Sequence, residues 1–146
     1  MTEFFDLLRY QELRKLDREG KIPFRSDTFM EFLGLQCEIS AQISYNRKEV
    51  YFSLIKQYLN NFITMDEFCN TYSDMIKQDS RIAYETLQDF QKLEAFPLSK
   101  DRHKFSDPII EISLLCTEYS VDYMSTSDFY SLVKRAFSKL PKNLFN

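Results

Sequence analysis

The sequence predicts an all-α protein: one domain, an antiparallel bundle of about five to seven helices. Three observations carry that expectation. The 146 residues include only 2 Gly and 4 Pro beside 14 Phe and 9 Tyr, so chain breakers are scarce, and bulky side chains favour packed helices over a strand-and-turn fold. Apolar residues recur at three-four spacing along most of the chain, as on a buried helix face. Ser or Thr followed three positions later by an acid recurs ahead of those faces and marks helix starts. A domain of this length buries roughly 68–70% of its unfolded surface, so one core suffices without disulfides or a structural metal.

From Thr2 to Glu19, Phe4, Phe5, Leu8, Leu13 and Leu16 can share a helical surface, and Gly20 follows as a C-terminal cap. Pro23 makes residues 21–27 a connection. Thr28-Phe29-Met30-Glu31 has the form of a capping box opening a second helix. Between Leu35 and Tyr45 apolar and polar residues alternate with period two, yet Phe32, Leu35, Ile39 and Ile43 also align on a helix. Both templates fit. A lone strand would need a partner that the sequence does not show elsewhere, so helix is the leading expectation and an α+β fold with a short strand at 35–45 the alternative. Residues 1–50 then form a helical extension packed on a bundle of residues 51–140.

Tyr51, Leu54, Ile55, Tyr58, Leu59 and Phe62 lie on one helical face, and Asn60-Asn61 tolerates the left-handed backbone that ends a helix. Thr64-Met65-Asp66-Glu67 is a second capping box, and Met65, Phe68, Cys69, Tyr72, Met75 and Ile76 mark the next buried face. A further helix is expected over about Ser80 to Ala95 through Ala83, Leu87 and Phe90, ended by Pro97. Residues 98–106 form the longest polar connection and the one expected mobile loop. Asp107-Pro108 pairs an N-cap acid with a proline at the first helical position, opening a helix through Ile109, Ile112, Leu115 and Tyr119. Ser125-Thr-Ser-Asp128 starts a last one, with Phe129, Leu132, Val133, Ala136, Phe137 and Leu140 inward, before Pro141.

Charge and chemistry narrow the function classes. The net charge of −3 argues against a nucleic-acid binder that works by bulk positive charge. Between Phe105 and Val133 there is no Lys or Arg, while Asp107, Glu111, Glu118, Asp122 and Asp128 carry five negative charges. A partner drawn to that zone would be basic. Cys37, Cys69 and Cys116 are odd in number and lack C-x-x-C spacing, which suggests neither a disulfide framework nor a zinc site. His103, the only histidine, stands between Arg102 and Lys104 and reads as a solvated surface residue. Gly20 and Gly34 form no phosphate loop. The amino terminus carries acids where a targeting peptide carries cations, and no apolar run approaches the ~18 residues of a membrane span. A soluble, non-enzymatic protein of the cytoplasm or another reducing compartment is expected, with no cofactor and no metal.

Leu54-Ile-Lys-Gln-Tyr-Leu-Asn-Asn-Phe-Ile-Thr-Met-Asp-Glu-Phe68 resembles the amino-terminal hairpin of the colicin D immunity protein family: an aliphatic helix, a polar corner, Ile-Thr or Ile-Ser, then Glu-Phe. Ile112 to Tyr119, followed by Phe129-Tyr-Ser-Leu-Val-Lys-Arg-Ala-Phe-Ser-Lys-Leu140, looks like that family's closing pair of helices. The resemblance covers about residues 51–140; the spacing between its halves is looser here, and residues 1–50 have no counterpart. It implies a small helical bundle that binds a transfer-RNA ribonuclease toxin and presents acidic groups to its basic active site. On that expectation Glu118, Asp122 and Asp128, with Asp66 and Glu67 next, meet the cationic cleft, although helix capping or a solvated face accounts for each of them as well. The alternative is an assembly subunit held in a larger complex through its aromatic-rich surface and the period-two segment 35–45. An enzyme using Cys116 or His103 ranks last.

Overall fold

The helical stripes close on one another as six helices among the residues that the computed structural model describes, which are 2–5, 7–85, 96–120 and 124–141. They are α1 (Leu7–Arg18), α2 (Asp27–Asn46), α3 (Lys48–Leu59), α4 (Met65–Glu85), α5 (Arg102–Ser120) and α6 (Thr126–Ser138). The fold is all-α and a single domain, to which two four-residue strands, β1 (Thr2–Phe5) and β2 (Phe96–Ser99), add a small antiparallel ribbon. No helix among the described residues is long and apolar enough to cross a membrane.

Helix ends follow local chemistry. Gly20 has φ 69°, its N–H reaching the Asp17 carbonyl (3.0 Å) and the Lys21 N–H the Leu16 carbonyl (2.9 Å), which together close α1 with a Schellman cap. Asn61, at φ 64°, does the same for α3: its N–H reaches the Tyr58 carbonyl (3.0 Å) and that of Phe62 the Gln57 carbonyl (2.8 Å). The Glu67 N–H donates to Thr64 Oγ1 (3.1 Å) and the Thr64 N–H to Glu67 Oε1 (3.4 Å), so the second capping box forms as its residues dictate. Ser125 Oγ accepts from the Asp128 N–H (3.2 Å) and starts α6.

The larger core is aromatic. Tyr51, Leu54, Ile55 and Tyr58 of α3 meet Phe68, Cys69 and Tyr72 of α4, Phe105, Ile109 and Ile112 of α5, and Phe129, Val133 and Ala136 of α6. Ring pairs such as Tyr58–Phe68 (centroids 4.7 Å apart) and Tyr51–Tyr72 (5.6 Å, edge to face) give it directional packing beyond area burial. Phe62 departs from the expected stripe, at 78% exposed, because the αL turn at Asn61 carries the chain off the helix axis before Phe62 can point inward.

Elsewhere tertiary contacts override local expectation. Residues 35–45 are helical within α2, whose only interruption before α3 is Arg47. The N-cap lies two residues before the expected Thr28, since Ser26 Oγ caps the helix by accepting the Phe29 N–H (3.1 Å) and Glu31 instead pairs with Arg9 across to α1. Residues 2–5 are strand and not the first turn of α1, pairing with residues 96–99 in a register that sets Thr2 opposite Ser99 and Phe5 opposite Phe96. The expected loop at 98–106 is the end of β2 and the first turns of α5. Pro108 therefore sits inside α5 and leaves the Lys104 carbonyl without its i+4 amide, a cost set against burial of Phe105 between Tyr45 and Tyr51 (6.3 Å to each). Ser80 continues α4 as far as Glu85 and opens no new helix; the remainder of the segment expected to be helical, 86–95, lies outside the described residues.

Candidate partner-binding surface

Four helix ends converge at one end of the bundle. Tyr119, near the end of α5, donates its hydroxyl to Asp66 Oδ1 at the start of α4 (3.0 Å) and places its ring 5.5 Å from Phe129 at the start of α6. Tyr130 donates to the Leu59 carbonyl at the end of α3 (2.9 Å). These tyrosine tethers bring the exposed carboxylates of Asp66, Glu67, Glu118 and Asp128 to the same end. Asp122 lies outside the described residues.

In the sequence, residues 57–76 and 105–133, which contain these helix ends, have no Lys or Arg. Helix dipoles do not cancel the carboxylates: the N-termini of α4 and α6 contribute about +0.5 each and the C-termini of α3 and α5 about −0.5 each. Within the patch the roles differ. Glu67 serves the Thr64 cap and Asp66 accepts from Tyr119, whereas Glu118 and Asp128 make no ion pair among the described residues.

The acidic zone of the sequence is therefore divided by the fold. Glu111 takes Lys139 from beyond α6 (3.1 Å), and Asp107 lies about 16 Å along α5 from Glu118 at 1.5 Å per residue. Neither joins the acidic end. The tethers Tyr119 and Tyr130 were invisible as such, because each joins residues more than fifty positions apart and an isolated tyrosine on an apolar stripe reads only as core.

A second polar constellation lies inside. Asp79 of α4 is 1% exposed and accepts from Arg47, from the Tyr51 hydroxyl and from Ser44 Oγ (3.3 Å), so that α4 is bound to the corner between α2 and α3. Burial, with Asp79 beside it, holds the Tyr51 hydroxyl well above the ordinary phenol value, which keeps it a donor. No sequence signal marks Asp79, whose neighbours in the chain are solvated.

Cys69 and Cys116 face each other in the core, where the hydrogen bond between them and then burial raise the Cys116 thiol above the ordinary thiol value, while the same hydrogen bond lowers Cys69. His103 is exposed on the first turn of α5, its Nε2 3.1 Å from Glu38 of α2. Among the described residues no three His, Cys, Asp or Glu side chains are grouped as a metal site requires. No protein-family model, curated protein or solved structure matches the chain. The likeness to the colicin D immunity family thus rests on the hairpin and closing-helix residues alone.

Proposed function

We propose that this protein is a non-enzymatic inhibitor of immunity type, which occludes the basic active site of a transfer-RNA ribonuclease toxin with its acidic end. The observation that supports this most is the gathering of Asp66, Glu67, Glu118 and Asp128 where four helix ends meet and the surrounding chain supplies no cation. A cleft that binds RNA must attract phosphates, so a rigid cluster of carboxylates competes for the same field and speeds encounter. Helix ends pinned by caps and tyrosine tethers hold those charges without an ordering cost on binding.

The experiment is complex formation between the purified protein and the ribonuclease domain of a colicin D-type toxin, read by calorimetry and by protection of transfer RNA from cleavage. Glu118→Lys with Asp128→Lys should weaken the complex at least tenfold, about 1.4 kcal/mol, and flatten its salt dependence. A wild-type protein that neither binds nor protects would end the proposal.

The assembly-subunit alternative keeps one support. Met30 and Leu33 on α2, and Ile110 and Leu114 on α5, are exposed at helical spacing, although the helical state of residues 35–45 removes the strand edge through which a partner sheet would have paired. A chain that is monomeric and folded by itself at micromolar concentration counts against it.

A further inference from the structure

α2, α4 and α5 do not close fully on one another. Cys37, Ser40, Ala41 and Ser44 recur on α2 at i, i+3, i+4 and i+7 and present small side chains to the junction, leaving a cavity of about 330 Å³. Small-molecule sites begin at about 300 Å³. Helix-junction voids of this kind can simply hold water, so the case rests on what lines it.

Ser106 lines the cavity at 3% exposed, and its hydroxyl has no hydrogen-bond partner among the described residues. Its oxygen is open to the cavity rather than sealed in the core, so it is available to a ligand there. Asp107, the next residue, reaches the same cavity from its solvent side and makes no ion pair among the described residues. No Lys or Arg lines the space. Asp79 is at its wall too, but that charge is met by Arg47 and the Tyr51 hydroxyl, and His103 at the rim is turned to Glu38. The groups without a partner among the described residues are therefore the Asp107 carboxylate and the hydroxyls of Ser106, Ser40 and Ser80, facing apolar walls of Ile76, Ile109 and Ile110.

We propose that this cavity binds a small aliphatic amine, its ammonium between the Asp107 carboxylate and the Ser106 hydroxyl oxygen and its alkyl body against the isoleucines. An ammonium is all donor, and the carboxylate and the hydroxyl oxygens can all accept from it. A carboxylate ligand would meet two aspartates with no cation, and a neutral alcohol would leave Asp107 unpaired. The site is separate from the acidic end and needs no protein partner.

The test uses the full chain and n-butylamine hydrochloride as probe, with 1-butanol, sodium butyrate and ammonium chloride at equal ionic strength as comparisons, read by thermal unfolding and by NMR shifts of the α5 amides. Butylamine should raise the unfolding temperature in a saturable way and shift residues 106–110; butanol should bind at least tenfold more weakly, and butyrate and ammonium chloride should do neither. Asp107→Asn, at an exposed position that leaves the fold intact, should weaken butylamine at least tenfold, Ser106→Ala severalfold, and Glu118→Gln not at all. The proposal is overturned by no saturable response to butylamine, by an equal response to butanol or butyrate, or by undiminished binding in Asp107→Asn. None of these outcomes bears on toxin inhibition, which is measured with the partner.

Discussion

Around α3 to α6 the buried side chains form one large aromatic cluster, whereas Tyr10, Leu13, Phe32, Ile39 and Leu98 form a smaller one beside it, between α1, the first half of α2 and β2. The large core is knit by rings from all four helices, with Tyr58, Phe68 and Phe129 in mutual contact (4.7, 5.7 and 6.2 Å). The small one includes the stacked pair Tyr10–Phe32 (5.5 Å) and is joined to its surroundings by polar links: Arg9 to Glu31 (3.1 Å), the Gln42 side-chain oxygen to the Ser99 N–H (2.5 Å), and Arg102 to Glu38 (2.6 Å). Stability is therefore expected to reside mainly in the ring-packed region. A core of interlocking rings should unfold as one unit, and a core stitched to distant strands should open first.

The largest effects test that division directly. Phe68→Ala empties the centre of the ring cluster and should cost about 4 kcal/mol, Leu13→Ala about 3 kcal/mol. Their hydrogen-exchange patterns should differ: Phe68→Ala lowers protection throughout α3 to α6, Leu13→Ala only in β1, β2 and α1. Equal loss of protection in α4 for both variants would mean one cooperative core and break the comparison.

Asp79 stands where the two regions join. Asp79→Asn keeps an acceptor for Tyr51 and Ser44 but discards the charge that Arg47 meets; because the Arg47 side chain stays 29% exposed, a loss of about 2 kcal/mol is expected, below that of a fully buried pair. Chemical denaturation gives the number, and an unchanged midpoint would show that Arg47 finds water instead.

Smaller still are the caps. Ser125→Ala at the start of α6 and Ser26→Ala at the start of α2 remove equivalent N-cap bonds and should each cost about 1 kcal/mol, but only the Ser125 change should lower the global transition, since α2 begins in the weaker region. The smallest effect is that of pH. The Arg9 guanidinium holds the Glu31 carboxyl below its ordinary value, so the folded value lies beneath the unfolded one. The pair therefore contributes above the ordinary carboxylate range of about pH 4 and is lost as pH falls through the lowered value. Amide exchange in α1 should accelerate over that interval, and Glu31→Gln should abolish the change.

The corner between α3 and α4 was legible almost to the residue, because an αL asparagine and a capping box act within a few positions of one another, whereas the exposure of Phe62 and the run of α4 past Ser80 were not. The start of α6 was legible for the same reason. The candidate surface was legible in part: the carboxylates could be named, but not that Glu118 and Asp128 would meet Asp66 while Asp107 and Glu111 would not, since Tyr119 and Lys139 decide this across the fold.

The helical class, the caps at Gly20, Asn61, Thr64 and Ser125, and the aromatic faces all follow from side chains within one or two turns of one another. The pairing of residues 2–5 with 96–99, the start of α5 ahead of Pro108 and the burial of Asp79 come from contacts across the fold. Each of those outcomes turns on a partner dozens of residues away, where the free energy of burial outweighs the local preference of the chain.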